Sequence, residues 1–170
     1  MPLRRVNHVV LSVSDLDASV HFYRDTLGLR VVTELPGTEH WPAMVFLRSP
    51  LASTNHHDLA LIANADAPAD GVRRPGLFHV AFELGTIDEL ERAQQRLTAA
   101  GTFGTALDQG MHLSVYGTDP DGLAVEVIWR TPDGAWSYDD ALSRGPLDYR
   151  AARDRWGGDQ PTGAAAGVPA

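Results

Sequence analysis

Leu77-Phe78-His79-Val80-Ala81-Phe82-Glu83-Leu84 repeats the pattern of Val6-Asn7-His8-Val9-Val10-Leu11-Ser12-Val13, down to a His-Val step at the same place. Both runs alternate as half-buried strands do: Val9, Leu11 and Val13 share one face, and His8, Val10 and Ser12 the other. Each strand leads into a helix. Asp15 can cap the first, whose stripe is Leu16, Val20, Tyr23 and Leu27, and Gly28 is placed to end it. Thr86 and Glu89 form a capping box for the second, whose stripe is Leu90, Ala93 and Leu97, with Gly101 at its end. The histidines stand 71 positions apart and the terminal glycines 73. Three strand-like runs follow in each half, near 29–34, 43–48 and 57–62, and near 102–107, 112–117 and 123–129. Asp119-Pro120-Asp121-Gly122 reads as a tight turn.

The reading is an α+β chain of two βαβββ modules, which bury their sheets by packing together. The expected boundaries are a first module over 1–65, a connection over 66–76 rich in Ala, Asp, Pro and Gly, and a second module over 77–130. An extension over 131–156 carries Trp136, Tyr138, Leu142, Leu147 and Tyr149 and is expected to pack on the body. Residues 157–170 have almost nothing to bury and are expected to form a disordered tail, giving one structural domain overall.

Composition narrows the chemistry. The 170 residues carry a formal net charge of −8, which disfavours nucleic acid and anionic membranes as partners. No stretch reaches the roughly 20 apolar residues of a membrane span, and no apolar leader opens the sequence, so a cytoplasmic protein is expected. There is no cysteine, so thiolate ligands and thiol nucleophiles are out, and any metal must be held by His, Asp or Glu. Seven histidines need explaining. His8 and His79 occupy equivalent repeat positions, and Glu126 interrupts the apolar strand Leu123-Ala124-Val125-Glu126-Val127-Ile128-Trp129. A carboxylate there carries a desolvation cost unless something cationic sits beside it. Each of the three has an ordinary reading, as a satisfied core histidine or a sheet-edge Glu. Together they have the composition of a facial triad that leaves coordination positions open. His21, on a helix, and His40, in a loop, read as surface or structural residues.

The run His8-Val9-Val10-Leu11-Ser12-Val13-Ser14-Asp15-Leu16, followed by His21-Phe22-Tyr23-Arg24-Asp25-Thr26-Leu27-Gly28-Leu29, resembles the opening of the vicinal oxygen chelate superfamily. Leu77-Phe78-His79-Val80-Ala81-Phe82 and Tyr116-Gly117-Thr118-Asp119-Pro120-Asp121-Gly122-Leu123-Ala124-Val125-Glu126 are similar to type I extradiol, ring-cleaving dioxygenases, so that residues 4–136 carry the likeness. The resemblance implies a curved, partly open barrel-like mixed sheet with helices outside. It implies metal ligands at His8, His79 and Glu126, with Fe(II) as the metal and Mn(II) as the other choice. It implies an acid/base histidine at His57, in a His57-Asp58 pair, and a hydrogen-bonding Tyr116 ten residues before Glu126. The substrates implied are a catecholic diol and O₂, as in the catabolism of aromatic compounds.

One position departs from the ring-cleaving pattern, which often has a His-Gly step where this chain has Gln109-Gly110. An amide hydrogen-bonds but cannot donate a proton as imidazolium does. His112, displaced by three residues and on the strand parity of Tyr116, either substitutes or faces solvent. Trp41, Phe46, Trp129 and Trp136 are candidate walls of a ring pocket. The same superfamily holds glyoxalase-like isomerases, epimerases and fosfomycin thiol transferases, which need neither His57-Asp58 nor Tyr116, and metal-free drug-binding proteins, which need no triad. Both modules lie in one chain, so a complete site needs no second subunit. A homodimer is compatible with the sequence, but nothing in it argues for one.

Overall fold

The computed structural model describes residues 5–51, 53–64, 66, 76–132, 134–135 and 145–163. Trp136, Tyr138, Leu142 and most of the connection over 66–76 lie outside them, as do 164–170. The chain divides into two compact units, Met1–Arg74 with Asp119–Leu123, and Pro75–Thr118 with Ala124–Ala170.

In the first unit the order is β1 (Val9–Val13), α1 (Leu16–His21), a π-helical turn (Phe22–Thr26), β2 (Arg30–Leu35), β3 (Met44–Arg48) and β4 (Leu59–Ala63). The sheet order is β1-β4-β3-β2, with β1 and β4 parallel and the other pairs antiparallel. Asp15 caps α1 by accepting from the Ala18 N–H at 2.9 Å. The expected apolar stripe continues through the π turn, burying Phe22 and Tyr23 against a core of Leu11, Val13, Val45, Leu47, Leu59 and Leu61. Gly28 follows with φ +86°, the left-handed conformation that ends a helix at little cost only for glycine.

Residues Asp119–Leu123 form a tight turn inside this unit. Asp119 Oδ1 accepts from the backbone N–H of Asp121 and Leu123, at 3.0 and 2.9 Å, and its Oδ2 accepts from the buried Tyr23 hydroxyl at 2.9 Å. Asp121 accepts from the Ser14 N–H at 3.1 Å and from the Ser14 hydroxyl. Four residues that punctuate sequence as a turn are thus tied to the start of α1 by side-chain acceptors.

The second unit contains β5 (His79–Glu83), α2 (Ile87–Ala99), β6 (Phe103–Asp108), β7 (His112–Thr118), β8 (Ala124–Arg130), β9 (Gly145–Pro146) and α3 (Tyr149–Trp156). Its order is β5-β8-β7-β6-β9, the first sheet's order with one short strand added. The β5–β8 pair is again parallel, and both second strands carry a bulge at matching places, Val31/Thr33 and Phe103/Thr105. The Thr86/Glu89 capping box is complete. The expected α+β fold of two βαβββ modules, with mixed sheets, is therefore present.

The extension packs on this unit through few but specific contacts. β9 pairs with β6, Arg153 of α3 bridges Asp88 and Glu91 of α2, and the Tyr149 hydroxyl meets Gln94 Oε1 at 2.9 Å. Order runs further than the expected tail boundary at 157. The Trp129 indole N–H donates to the Gln160 carbonyl at 2.9 Å, and Thr162 accepts from the Arg130 N–H at 2.9 Å and donates its own N–H to the Gly85 carbonyl at 2.8 Å. Most of these residues are half-buried, and the strand end and helix start beside them have backbone groups that need partners. Among the described residues no helix is long and apolar enough to cross a membrane.

Candidate functional site

Alternation along β7 puts His112, Ser114 and Tyr116 on one face, and the antiparallel register sets Tyr116 opposite Glu126 of β8. These side chains converge on the Glu126 carboxylate, which is only 4% exposed. Ser114 Oγ donates to Oε1 at 2.7 Å, and Gln109 Nε2 and His112 Nε2 each stand 3.4 Å from that oxygen. His79 Nε2 lies 3.1 Å from the other oxygen, Oε2. Burial pushes the Glu126 pKa up. Hydrogen bonds from His112, Tyr116 and Ser114, with the charge of His112, outweigh it and hold the pKa down at about 2. The carboxylate is thus ionised although buried.

Gln109 is the hub of this cluster. Its Nε2 donates to Ser114 Oγ at 3.0 Å and to the Tyr116 hydroxyl oxygen at 2.7 Å. A carboxylate only accepts, so the Ser114 proton points to Glu126 and its lone pairs take the Gln109 amide. Burial raises the Tyr116 pKa, as do its hydrogen bond to Glu126 and that carboxylate's charge, against opposing hydrogen bonds with Gln109 and Ser114. Tyr116 is accordingly a neutral phenol at ordinary pH.

The first unit gathers a second set. The His8 and His57 rings lie 4.5 Å apart between centroids, and Phe46 meets His57 edge to face at 4.9 Å. Nδ1 of His56 is 3.1 Å from Nδ1 of His57, and His8 Nδ1 is 2.9 Å from Asn7 Oδ1. Burial lowers the His57 pKa, and the charges of His8 and His56 lower it further, against a smaller pull upward from Asp58. A lowered value keeps His57 neutral, the form that accepts a proton. Asp58 is occupied elsewhere. Its carboxylate accepts from the Ser49 N–H at 2.9 Å, the Ser53 hydroxyl at 2.5 Å and Asn55 Nδ2 at 2.9 Å, and so organises the loop before β4.

The structure therefore brings His79, Gln109, His112, Tyr116 and Glu126 together in one unit, and His8, His57 and Phe46 in the other. His112 points at Glu126 rather than into solvent. Trp129 is fully buried and sits on the face of β8 opposite Glu126, next to Trp156, so it walls no pocket on the carboxylate's face. Trp41 is 71% exposed in the loop before β3. Ser114 is not among the residues that the sequence motifs single out, although it shares the parity of His112 and Tyr116. A hydroxyl two residues from each, in a strand otherwise rich in Leu and Val, is the signal that could have found it.

Among the described residues no three His, Asp or Glu side chains form a ready-made metal cage, and the two imidazoles beside Glu126 face different oxygens. The pair His79 Nε2 and Glu126 Oε2 does fit a shared ion. Two ligands bonded at about 2.1 Å on adjacent octahedral corners lie about 3.0 Å apart, against 3.1 Å here. The donor set of imidazole nitrogen and ionised carboxylate oxygen suits Fe(II), Mn(II) and similar ions.

The sequence model of the Glyoxalase/Bleomycin resistance protein/Dioxygenase superfamily matches residues 5–127. The chain is 33% identical over 143 residues to biphenyl-2,3-diol 1,2-dioxygenase 3 of Rhodococcus globerulus, covering 79% of this chain and 69% of that protein. It is 27% identical to the metallothiol transferase FosB of Lysinibacillus sphaericus, over 74% of this chain and 82% of that one. Other dioxygenases it matches are longer, and the chain spans 41% to 50% of them. A glyoxylase/bleomycin resistance protein/dioxygenase domain from Frankia sp. EAN1pec shares the fold, with a TM-score of 0.66 at 24% identity over 78% of this chain and 96% of that one.

Proposed function

The chain belongs to the glyoxalase/bleomycin resistance protein/dioxygenase superfamily, and from that premise we propose that it is a metal-dependent extradiol dioxygenase acting on a catechol-type diol and O₂. The observation that carries the reading is the buried, ionised Glu126 with His79 Nε2 at 3.1 Å, accompanied by the neutral phenol of Tyr116. The relatives that support it are dioxygenases on aromatic diols, with 33% identity to the Rhodococcus protein.

The ligand set we propose is His8, His79 and Glu126, with Fe(II) the metal and Mn(II) the alternative. When bound, the ion supplies a positive centre with open positions for a chelating diol and for O₂. The protein's own residues do the rest. Glu126 keeps its charge because Ser114 and His112 hold Oε1, which leaves Oε2 as the ligand oxygen. His57 is the base that takes a diol proton and later returns it, a task suited to an imidazole held neutral. Tyr116 keeps its proton, directed to Glu126 in the resting protein, and its hydroxyl turns to hydrogen-bond oxygen atoms of the reactants, while Gln109 donates to its oxygen.

Gln109 favours a second reading. An amide cannot supply the proton that a histidine there would, and FosB is among the relatives. The alternative is a metal-dependent enzyme without oxygen chemistry, of the isomerase, epimerase or thiol transferase kind.

One experiment separates the two. The protein is purified anaerobically, loaded with Fe(II), and exposed to simple and substituted catechols with O₂. Coloured ring-fission product with matching oxygen uptake is expected. Bound metal with no oxygen uptake on any catechol favours the second reading, and no affinity for divalent metal overturns both.

A further inference from the structure

We propose that Asn7, held in place by Asn55 and Asp58, fixes the neutral His8 ring as its Nδ1–H tautomer and leaves Nε2 as the lone-pair nitrogen. Asn7 and Asn55 are then positioning residues for His8. The inference follows from the direction of each hydrogen bond along the chain that joins them, all within the first unit.

The Asp58 carboxylate can only accept, so the atom of Asn55 that meets it at 2.9 Å is the amide nitrogen, Nδ2. The same nitrogen donates to the Asn7 carbonyl at 2.9 Å, again a pure acceptor. Asn55 Oδ1 therefore points the other way. There it accepts from Arg5 Nη2, which has no acceptor capacity, at 2.6 Å. The two charged residues, one accepting and one donating, admit a single orientation of the Asn55 amide. Asn55 Oδ1 is also 3.2 Å from the Asn7 side chain, so the Asn7 atom facing it is Nδ2. Its Oδ1 is left facing His8 Nδ1 at 2.9 Å. An amide oxygen accepts, so Nδ1 must carry the hydrogen.

Neutral imidazole has one N–H, and placing it on Nδ1 makes Nε2 the basic nitrogen. Partners of this kind, on the ring nitrogen away from the metal, set tautomer and ring orientation in metal-binding histidines. The consequence for metal binding rests on the reading of His8 as a ligand, whereas the tautomer does not. Asp58, adjacent to His57 in sequence, thus acts on His8 through two asparagines rather than on His57 by direct pairing.

The test uses the metal-free 170-residue protein with labelled histidine and nitrogen–proton correlation spectra of the imidazole rings at about pH 8, where an ordinary imidazole is neutral. The His8 signals are assigned by their loss in His8→Gln. Expected is a protonated-type Nδ1 and an unprotonated-type Nε2 in the wild type, retained in Asn7→Asp and shifted toward the Nε2–H form in Asn7→Leu. Asn55→Ala, one residue further away, frees the Asn7 amide to turn and is expected to mix the two forms. A wild-type His8 protonated at Nε2, or a tautomer unmoved by Asn7→Leu and Asn55→Ala, overturns the proposal. Cobalt(II) affinity is the companion readout, expected to fall about 10–100-fold in Asn7→Leu and to be kept in Asn7→Asp. Should the tautomer behave as expected while His8→Gln leaves cobalt affinity intact, the proposal stands and the reading of His8 as a ligand falls.

Discussion

Glu126 occupies in the second sheet the place that Ala60 occupies in the first. Ala81 pairs with Glu126 and Glu126 with Tyr116, and in the first sheet the matching row is Val10, Ala60 and Phe46. The repeat therefore carries one polar row and one apolar row on the same scaffold. A carboxylate and a phenol replace a methyl and a phenyl, and the buried donors Ser114 and Gln109 come with them.

That substitution can be reversed as a test. Glu126→Ala restores the apolar row and is expected to keep the fold, because Ala60 is accommodated at the equivalent position. It leaves the buried Ser114 and Gln109 groups short of an acceptor, at a cost of about 1–3 kcal/mol. Divalent metal affinity, measured by anaerobic titration, should be lost, as it should in His79→Ala. Wild-type affinity in either variant would remove that residue from the ligand set.

His57 is expected to separate binding from turnover. It touches His8 and Phe46. In His57→Ala, metal content should match the wild type while oxygen uptake with catechols falls by about 10²–10⁴, the usual worth of general acid–base catalysis. Undiminished uptake would rule out the acid/base role.

Tyr23 and Asp119 form a buried contact that the chemistry does not use. Tyr23→Phe removes a donor from a carboxylate whose pKa burial has already raised, and should cost about 1–3 kcal/mol. Asp119→Asn keeps the oxygen that accepts from Asp121 and Leu123 and should cost less than Asp119→Ala. Thermal unfolding gives the order, with a fall of about 2–4 °C per kcal/mol for a chain of this size. Equal losses in the Asn and Ala variants would mean that the turn does not depend on that oxygen.

Asp58 should make the first unit acid-sensitive. Burial raises its pKa, but the Ser53 hydroxyl, the Ser49 N–H, Asn55 and the charge of Arg48 outweigh it, so the folded value lies below the ordinary 3.8. A depressed carboxylate adds stability above its unfolded value and loses it as pH falls through its folded value. Urea unfolding across a pH series should show wild type and Asp58→Asn differing most above about pH 4 and converging below it. A constant difference down to pH 2 would rule out the linkage.

Strand and helix positions were legible in the sequence because they rest on short-range rules. Alternation marked β1 and β5, Thr86 with Glu89 marked the start of α2, and Gly28 and Gly101 took the left-handed conformations that their places at helix ends implied. Even the face of Trp129, opposite Glu126 and away from any pocket there, follows from its odd spacing to that residue. The repeat in sequence corresponds to a repeat in sheet order, β1-β4-β3-β2 and β5-β8-β7-β6.

Partner choice did not follow from the sequence, because it depends on register between strands and on loops that return from far along the chain. Only the β7–β8 ladder aims Ser114 and His112 at one oxygen of Glu126, and only the loop before β4 turns Asp58 toward Ser49, Ser53 and Asn55 instead of His57. Likewise, Gln160 and Thr162 are held because Trp129 and Arg130, at the end of β8, donate to them. Periodicity determines which face a side chain takes, since it depends on the chain's own backbone. Which group it meets there is decided by the tertiary structure, since a buried donor or acceptor must be satisfied by whatever the fold brings within about 3 Å.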